Sequence, residues 1–125
     1  MKQALLLLVC LSVFTSKVSA SDALSLNEGV FTKQQAKSGK RLYKKHCSSC
    51  HEGNYFKSVL LTWKGEALTE LYGIITSEMP ENDPGALAGD QYIEILAYIL
   101  SSNKYPAGET RLDSGSTAFS QFIIK

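Results

Sequence analysis

The residues with the most legible chemistry are Cys47, Ser48, Ser49, Cys50 and His51. They read C-x-x-C-H, the spacing at which two thiols add across the two vinyl groups of a haem and the next imidazole meets one face of the iron. Two residues between the cysteines let a single turn of chain span the vinyls, and the adjacent histidine then falls beneath the metal. A bare C-x-x-C would suit a redox dithiol or a zinc site as well. The immediate histidine favours a covalently attached haem c, one per chain, with Cys47 and Cys50 as thioethers and His51 as an axial ligand.

A second axial ligand is found by elimination. Met1 belongs to a segment expected to be removed, which leaves Met79 as the only methionine. The other histidine, His46, directly precedes Cys47 and is badly placed to reach the opposite face of the iron. A lone methionine is ordinarily a core filler. Here Met79 precedes Pro80, and proline pushes the residue before it out of helix into an extended turn. Met79 is therefore the candidate for the sixth ligand.

Around these residues the elements are helical, which predicts an all-α chain with about three main helices. Ala36, Gly39 and Tyr43 share one stripe of a helix over 33–46. Gly39 costs about 1 kcal/mol against alanine in a helix interior, and close approach of another helix accounts for it. Ala67, Leu71, Ile74 and Ile75 pattern a helix over 66–76, and Ile93, Leu96, Ala97 and Leu100 a closing helix over 90–102. Ile95 and Tyr98 are the expected neighbours of Gly39 and Tyr43. Residues 52–64 read as a connecting stretch whose aromatic and aliphatic side chains line a haem. Tyr55, Trp63, Leu71 and Leu96 are the candidate pocket residues, with the Trp63 indole N–H a possible donor to a propionate.

The first 20 residues have a different character. Lys2, the apolar run Ala4 to Phe14 and the small residues Val18-Ser19-Ala20 form a secretory signal peptide with cleavage after Ala20. The alternative, an uncleaved anchor, wants roughly 20 apolar residues, and this run is shorter. Cys10 would leave with the signal. Residues 21–31 then form a flexible lead-in, 32–108 the haem domain, and 109–125 a tail too apolar to be free. Removing 20 of 125 residues leaves two cysteines, and loss of Lys2 and Lys17 leaves 11 basic against 12 acidic residues. A near-neutral domain argues against nucleic acid, and export predicts a periplasmic location. The basic residues of the first helix would either steer an acidic redox partner or simply be solvated.

These pieces resemble the class I cytochromes c: Gly39 and Tyr43 ahead of the C-x-x-C-H run, then Met79-Pro80, then Ile95 to Leu100. The second half, with Asn82-Asp83-Pro84-Gly85, Leu87, Tyr92, Asn103 and Tyr105-Pro106-Ala107-Gly108, is similar to the small bacterial cytochromes c that serve quinoprotein (PQQ) alcohol or sugar dehydrogenases. The resemblance implies a cytochrome c-like fold wrapped around one haem c, with His51 and Met79 as axial ligands. It also implies a carrier, not an enzyme, that takes electrons from a periplasmic dehydrogenase and passes them toward a terminal oxidase. The segment from His51 to Met79 departs from that pattern. It is short, and it lacks the proline whose carbonyl accepts the proximal imidazole N–H in many relatives.

Two other functions share the motif. A haem module whose methionine does not hold would bind a gas or peroxide. A dedicated haem subunit would stay bound to a larger dehydrogenase.

Overall fold

The computed structural model describes residues 23–125. The expected signal peptide and Cys10 lie outside them. Four helices carry the architecture: α1 (Lys33–His46), α2 (Tyr55–Thr62), α3 (Leu68–Glu78) and α4 (Gly89–Ser102). Two dipeptide strands, β1 (Leu24–Ser25) and β2 (Phe122–Ile123), pair in parallel and bring the two ends of the described chain together.

The start of α1 is fixed by a reciprocal cap. The Thr32 hydroxyl accepts from the Gln35 amide at 3.1 Å, and the Gln35 side chain accepts from the Thr32 amide at 3.1 Å. Two orphan donors of the first turn are thereby satisfied. At its other end Lys44, Lys45 and His46 face the negative end of the helix dipole.

α1 packs on α4 more extensively than any other helix pair, and Gly39 is the reason they come so close. A Cβ at Gly39 would run into the carbonyl of Glu94 and the amide nitrogen of Ile95. Tyr43, one turn further on, meets Tyr98 with ring centroids 5.2 Å apart. α4 supplies more of the core than any other element, with Ile95, Leu96, Ile99 and Leu100 fully or nearly fully buried.

The structure corrects three expectations. Residues 55–62 are a helix, not a connecting stretch, although only Leu60 of α2 is buried. α3 starts two residues later than the pattern suggested, because Ala67 is held in extended form by a bridge to Ile123. The lead-in is packed: Leu26 and Phe31 are fully buried, and the Phe31 carbonyl accepts from the Gly108 amide at 2.7 Å. A dipeptide strand and a single 3-10 turn (Leu26–Glu28) are shorter than any period that could betray them.

The C-terminal tail folds back onto the domain through Leu112, Phe119 and Ile124, all buried. Backbone hydrogen bonds from Gly65 to Ile124 and from Ile124 to Glu66 tie its end to the turn before α3. No helix among the described residues is long and apolar enough to cross a membrane.

Candidate haem site

α1 ends at Cys47, and the chain then turns tightly: the amides of Cys50 and His51 both donate to the Cys47 carbonyl, at 3.2 and 2.9 Å. This turn opens onto a cavity of about 510 Å³, within the roughly 300–1,000 Å³ typical of ligand sites. Cys47, Cys50 and His51 line it together with Met79, Pro80, Glu81 and Asn82, and Tyr43, Phe56, Ile75, Ile95 and Ile99 supply apolar surface. α1, the turn after it, α2, the end of α3 and the middle of α4 thus all contribute residues to it.

The two thiols are free and not joined to each other. Burial pushes the Cys47 thiol above its ordinary pKa. Burial also raises Tyr43 to about 12, with smaller contributions from Cys47, Tyr98 and Tyr55.

The His51 ring is held by its neighbours. Tyr55 lies over it with centroids 4.1 Å apart and planes inclined by 36°, and Phe56 follows at 5.9 Å. The Tyr43 hydroxyl donates to the His51 carbonyl at 2.6 Å. Its Nδ1 is buried with no hydrogen-bond partner. Metal-bound imidazoles normally place the second ring nitrogen against an acceptor; here aromatic packing and a tethered backbone orient the ring.

Met79 is the C-cap of α3 and is extended, with φ −119° and ψ 148°. Its amide donates to the Ile75 carbonyl at 3.2 Å. Ile75, one turn before Met79, faces the same cavity.

The four residues singled out by their chemistry, Cys47, Cys50, His51 and Met79, come together on this one cavity. The four expected pocket residues do not line it. Leu71 and Leu96 are buried in the general core, Trp63 packs against that core, and Tyr55 lies half-exposed against the His51 ring. Their places are taken by Tyr43, Phe56, Ile75, Ile95 and Ile99. The i, i+4 pair Ile95 and Ile99 on a helix already assigned was the available signal; nothing in the pattern said which apolar face of α4 turned to the cavity. His46, which directly precedes Cys47, also lines it.

The donor set fits a covalent haem. Two free thiols, an imidazole with a buried unpartnered nitrogen, and a thioether face one apolar cavity. Among the described residues no cluster of three or more His, Cys, Asp or Glu side chains is arranged to hold a bare metal ion.

An all-α chain with a C-x-x-C-H turn opening onto such a cavity is a c-type cytochrome. Residues 34–99 match the family model described as cytochrome C oxidase, cbb3-type, subunit III. The match spans just over half of the 125 residues, and the chain belongs to that family. It is accordingly a haem electron-transfer protein with a cytochrome c-like fold and covalently bound haem c. Searches of the curated proteins and of the solved structures found no match.

Proposed function

We propose that the protein is a periplasmic monohaem electron carrier in which Cys47 and Cys50 anchor the haem and His51 and Met79 occupy its two axial positions. The observation that supports this best is the convergence of those four side chains on one apolar cavity. When bound, haem supplies a one-electron iron couple, and methionine opposite histidine raises its potential. The chain's own part is to fix the two ligands, exclude water with Tyr43, Phe56, Ile75, Ile95 and Ile99, and leave no axial position for substrate. A dehydrogenase, in keeping with the resemblance to PQQ-linked cytochromes, is the proposed donor. A terminal oxidase, in keeping with the family's description, is the proposed acceptor.

The test is the absorption spectrum of the exported protein, oxidised and reduced, with and without carbon monoxide. A low-spin spectrum with the weak long-wavelength band of sulfur–iron ligation, indifference to carbon monoxide, and loss of that band in Met79→Ala are expected. A high-spin oxidised form that binds carbon monoxide promptly on reduction would instead make it a gas- or peroxide-binding module. Co-purification with a dehydrogenase would identify a resident subunit of a larger enzyme.

A further inference from the structure

The loop that follows Met79 has little to hold it. Glu81 through Ala86 are all exposed, so packing does not anchor the methionine from its C-terminal side. The anchoring is polar and converges on one buried side chain. Tyr92, in the first turns of α4 and only 3% exposed, donates its hydroxyl hydrogen to the Met79 carbonyl at 2.6 Å. The same oxygen lies 3.5 Å from the Leu87 amide, at the other end of the loop. The Gly85 amide also points at the Met79 carbonyl, at 3.3 Å, with Gly85 at φ +77°. The Met79 amide is held by the last turn of α3. The backbone of the methionine is therefore gripped on both sides, by α3 through its N–H and by α4 through its C=O.

We propose that Tyr92 is a positioning residue for Met79, acting on the ligand's backbone and leaving its sulfur free for iron. The proposal rests on the reading of Met79 as the axial ligand. A methionine at the end of a solvent-exposed loop swings away easily, and each swing opens the iron to an external base. A short hydrogen bond from a ring locked in the core limits that motion, because the hydroxyl cannot follow the loop outward. An interaction of this kind contributes about 0.5–1.5 kcal/mol, so its loss corresponds to roughly a threefold to tenfold change in how often the ligand is displaced.

The experiment is a titration of the oxidised holoprotein with imidazole, followed by absorbance, on the wild type and on Tyr92→Phe, Tyr105→Phe and Met79→Ala. Tyr105→Phe is the control. It also removes one hydroxyl, the donor to the Lys125 carbonyl at 2.7 Å, but away from the cavity. Tyr92→Phe is expected to bind imidazole about threefold to tenfold more tightly than the wild type, Tyr105→Phe to match the wild type, and Met79→Ala to bind most tightly. Tyr92→Phe equal to the wild type while Met79→Ala binds more tightly would overturn the role of Tyr92 alone. An equal gain in Tyr105→Phe would overturn it too, since the effect would then be general loosening. Met79→Ala equal to the wild type would sink the axial assignment itself. A measurement on the unaltered holoprotein guards against a variant that fails to fold. With the Met79–Pro80 pair labelled by carbonyl ¹³C and ¹⁵N, the Tyr92 hydroxyl proton is expected to exchange slowly and to show contact with that carbonyl. A freely exchanging hydroxyl overturns the proposal.

Discussion

Tyr43 touches three parts of the site at once. Its ring forms cavity wall, its hydroxyl donates to the His51 carbonyl at 2.6 Å, and its faces and edge meet Tyr98 and Phe56. The hydroxyl matters because His51 has a buried Nδ1 with no partner. With no acceptor holding the ring, the tether on the backbone and the stacked Tyr55 carry the orientation. Tyr43→Phe is expected to lower stability by about 1 kcal/mol at neutral pH, the usual worth of one such bond. The ionisation of Tyr43 has a sign that can be checked. Burial raises its pKa from 10.0 to about 12 in the folded chain, so the unfolded chain gives up this proton first as pH rises. The contribution is fully present below pH 10 and is lost as pH climbs toward about 12. Denaturant unfolding of the holoprotein across that window should show the wild type losing stability more steeply than Tyr43→Phe. Equal slopes would mean another group governs the alkaline limit.

Between elements, the decisive contact is the crossing of α1 and α4. Gly39→Ala makes two opposed contributions. Alanine favours helix by about 1 kcal/mol over glycine. The added Cβ would collide with the backbone of Glu94 and Ile95, which no side-chain rearrangement relieves. Overpacking of this kind costs about 1–3 kcal/mol, and a backbone obstacle places it at the upper end. A net loss of about 2 kcal/mol is expected in thermal or denaturant unfolding, and a stabilised variant would show that the helices part freely. The same separation would shift Tyr43 against Ile95 and Ile99, so a change in the haem spectrum should accompany the loss of stability. α1 also exposes Lys33, Lys37, Lys40, Arg41, Lys44 and Lys45, the surface to which an acidic redox partner would be drawn under the proposed function.

Across the whole molecule, the two ends of the described residues are fastened to the helical body by a few polar contacts around apolar anchors. Gln35 is the only polar residue in the buried set described, and it is fully buried. Its amide nitrogen donates to the Leu112 carbonyl at 2.8 Å, and its oxygen accepts from the Leu112 amide at 2.9 Å. One side chain thus caps α1 and pins the tail 77 positions further along. Gln35→Leu would leave both Leu112 groups without partners in the interior, at about 1–3 kcal/mol for each unsatisfied buried group. The expected outcome is a loss of about 3 kcal/mol in denaturant unfolding, with protease cutting first within 109–125. A tail that resists cleavage as well as the wild type would show that Phe119 and Ile124 suffice to hold it.

The sequence by itself determined the chemistry and the long regular elements. C-x-x-C-H is a local motif whose spacing carries its own geometry, Met79-Pro80 excludes helix at the methionine, and α1 and α4 are long enough for their apolar period to be read. It also determined that Gly39 lies under a partner helix, because a glycine in a helix interior calls for a reason. Tertiary structure decided what local pattern does not encode. Ile75, Ile95 and Ile99 face the cavity while Leu71 and Leu96 do not, and every one of them is apolar on a helix whose buried face is broad. Residues 23–31 look featureless because their order comes from contacts with Gly108, Phe122 and Ile123, far away in the chain. Tyr92 reads as one more core aromatic until the fold lays its hydroxyl against the Met79 carbonyl. Periodicity reports how much of an element is buried; only the assembled chain fixes which atoms each buried face meets.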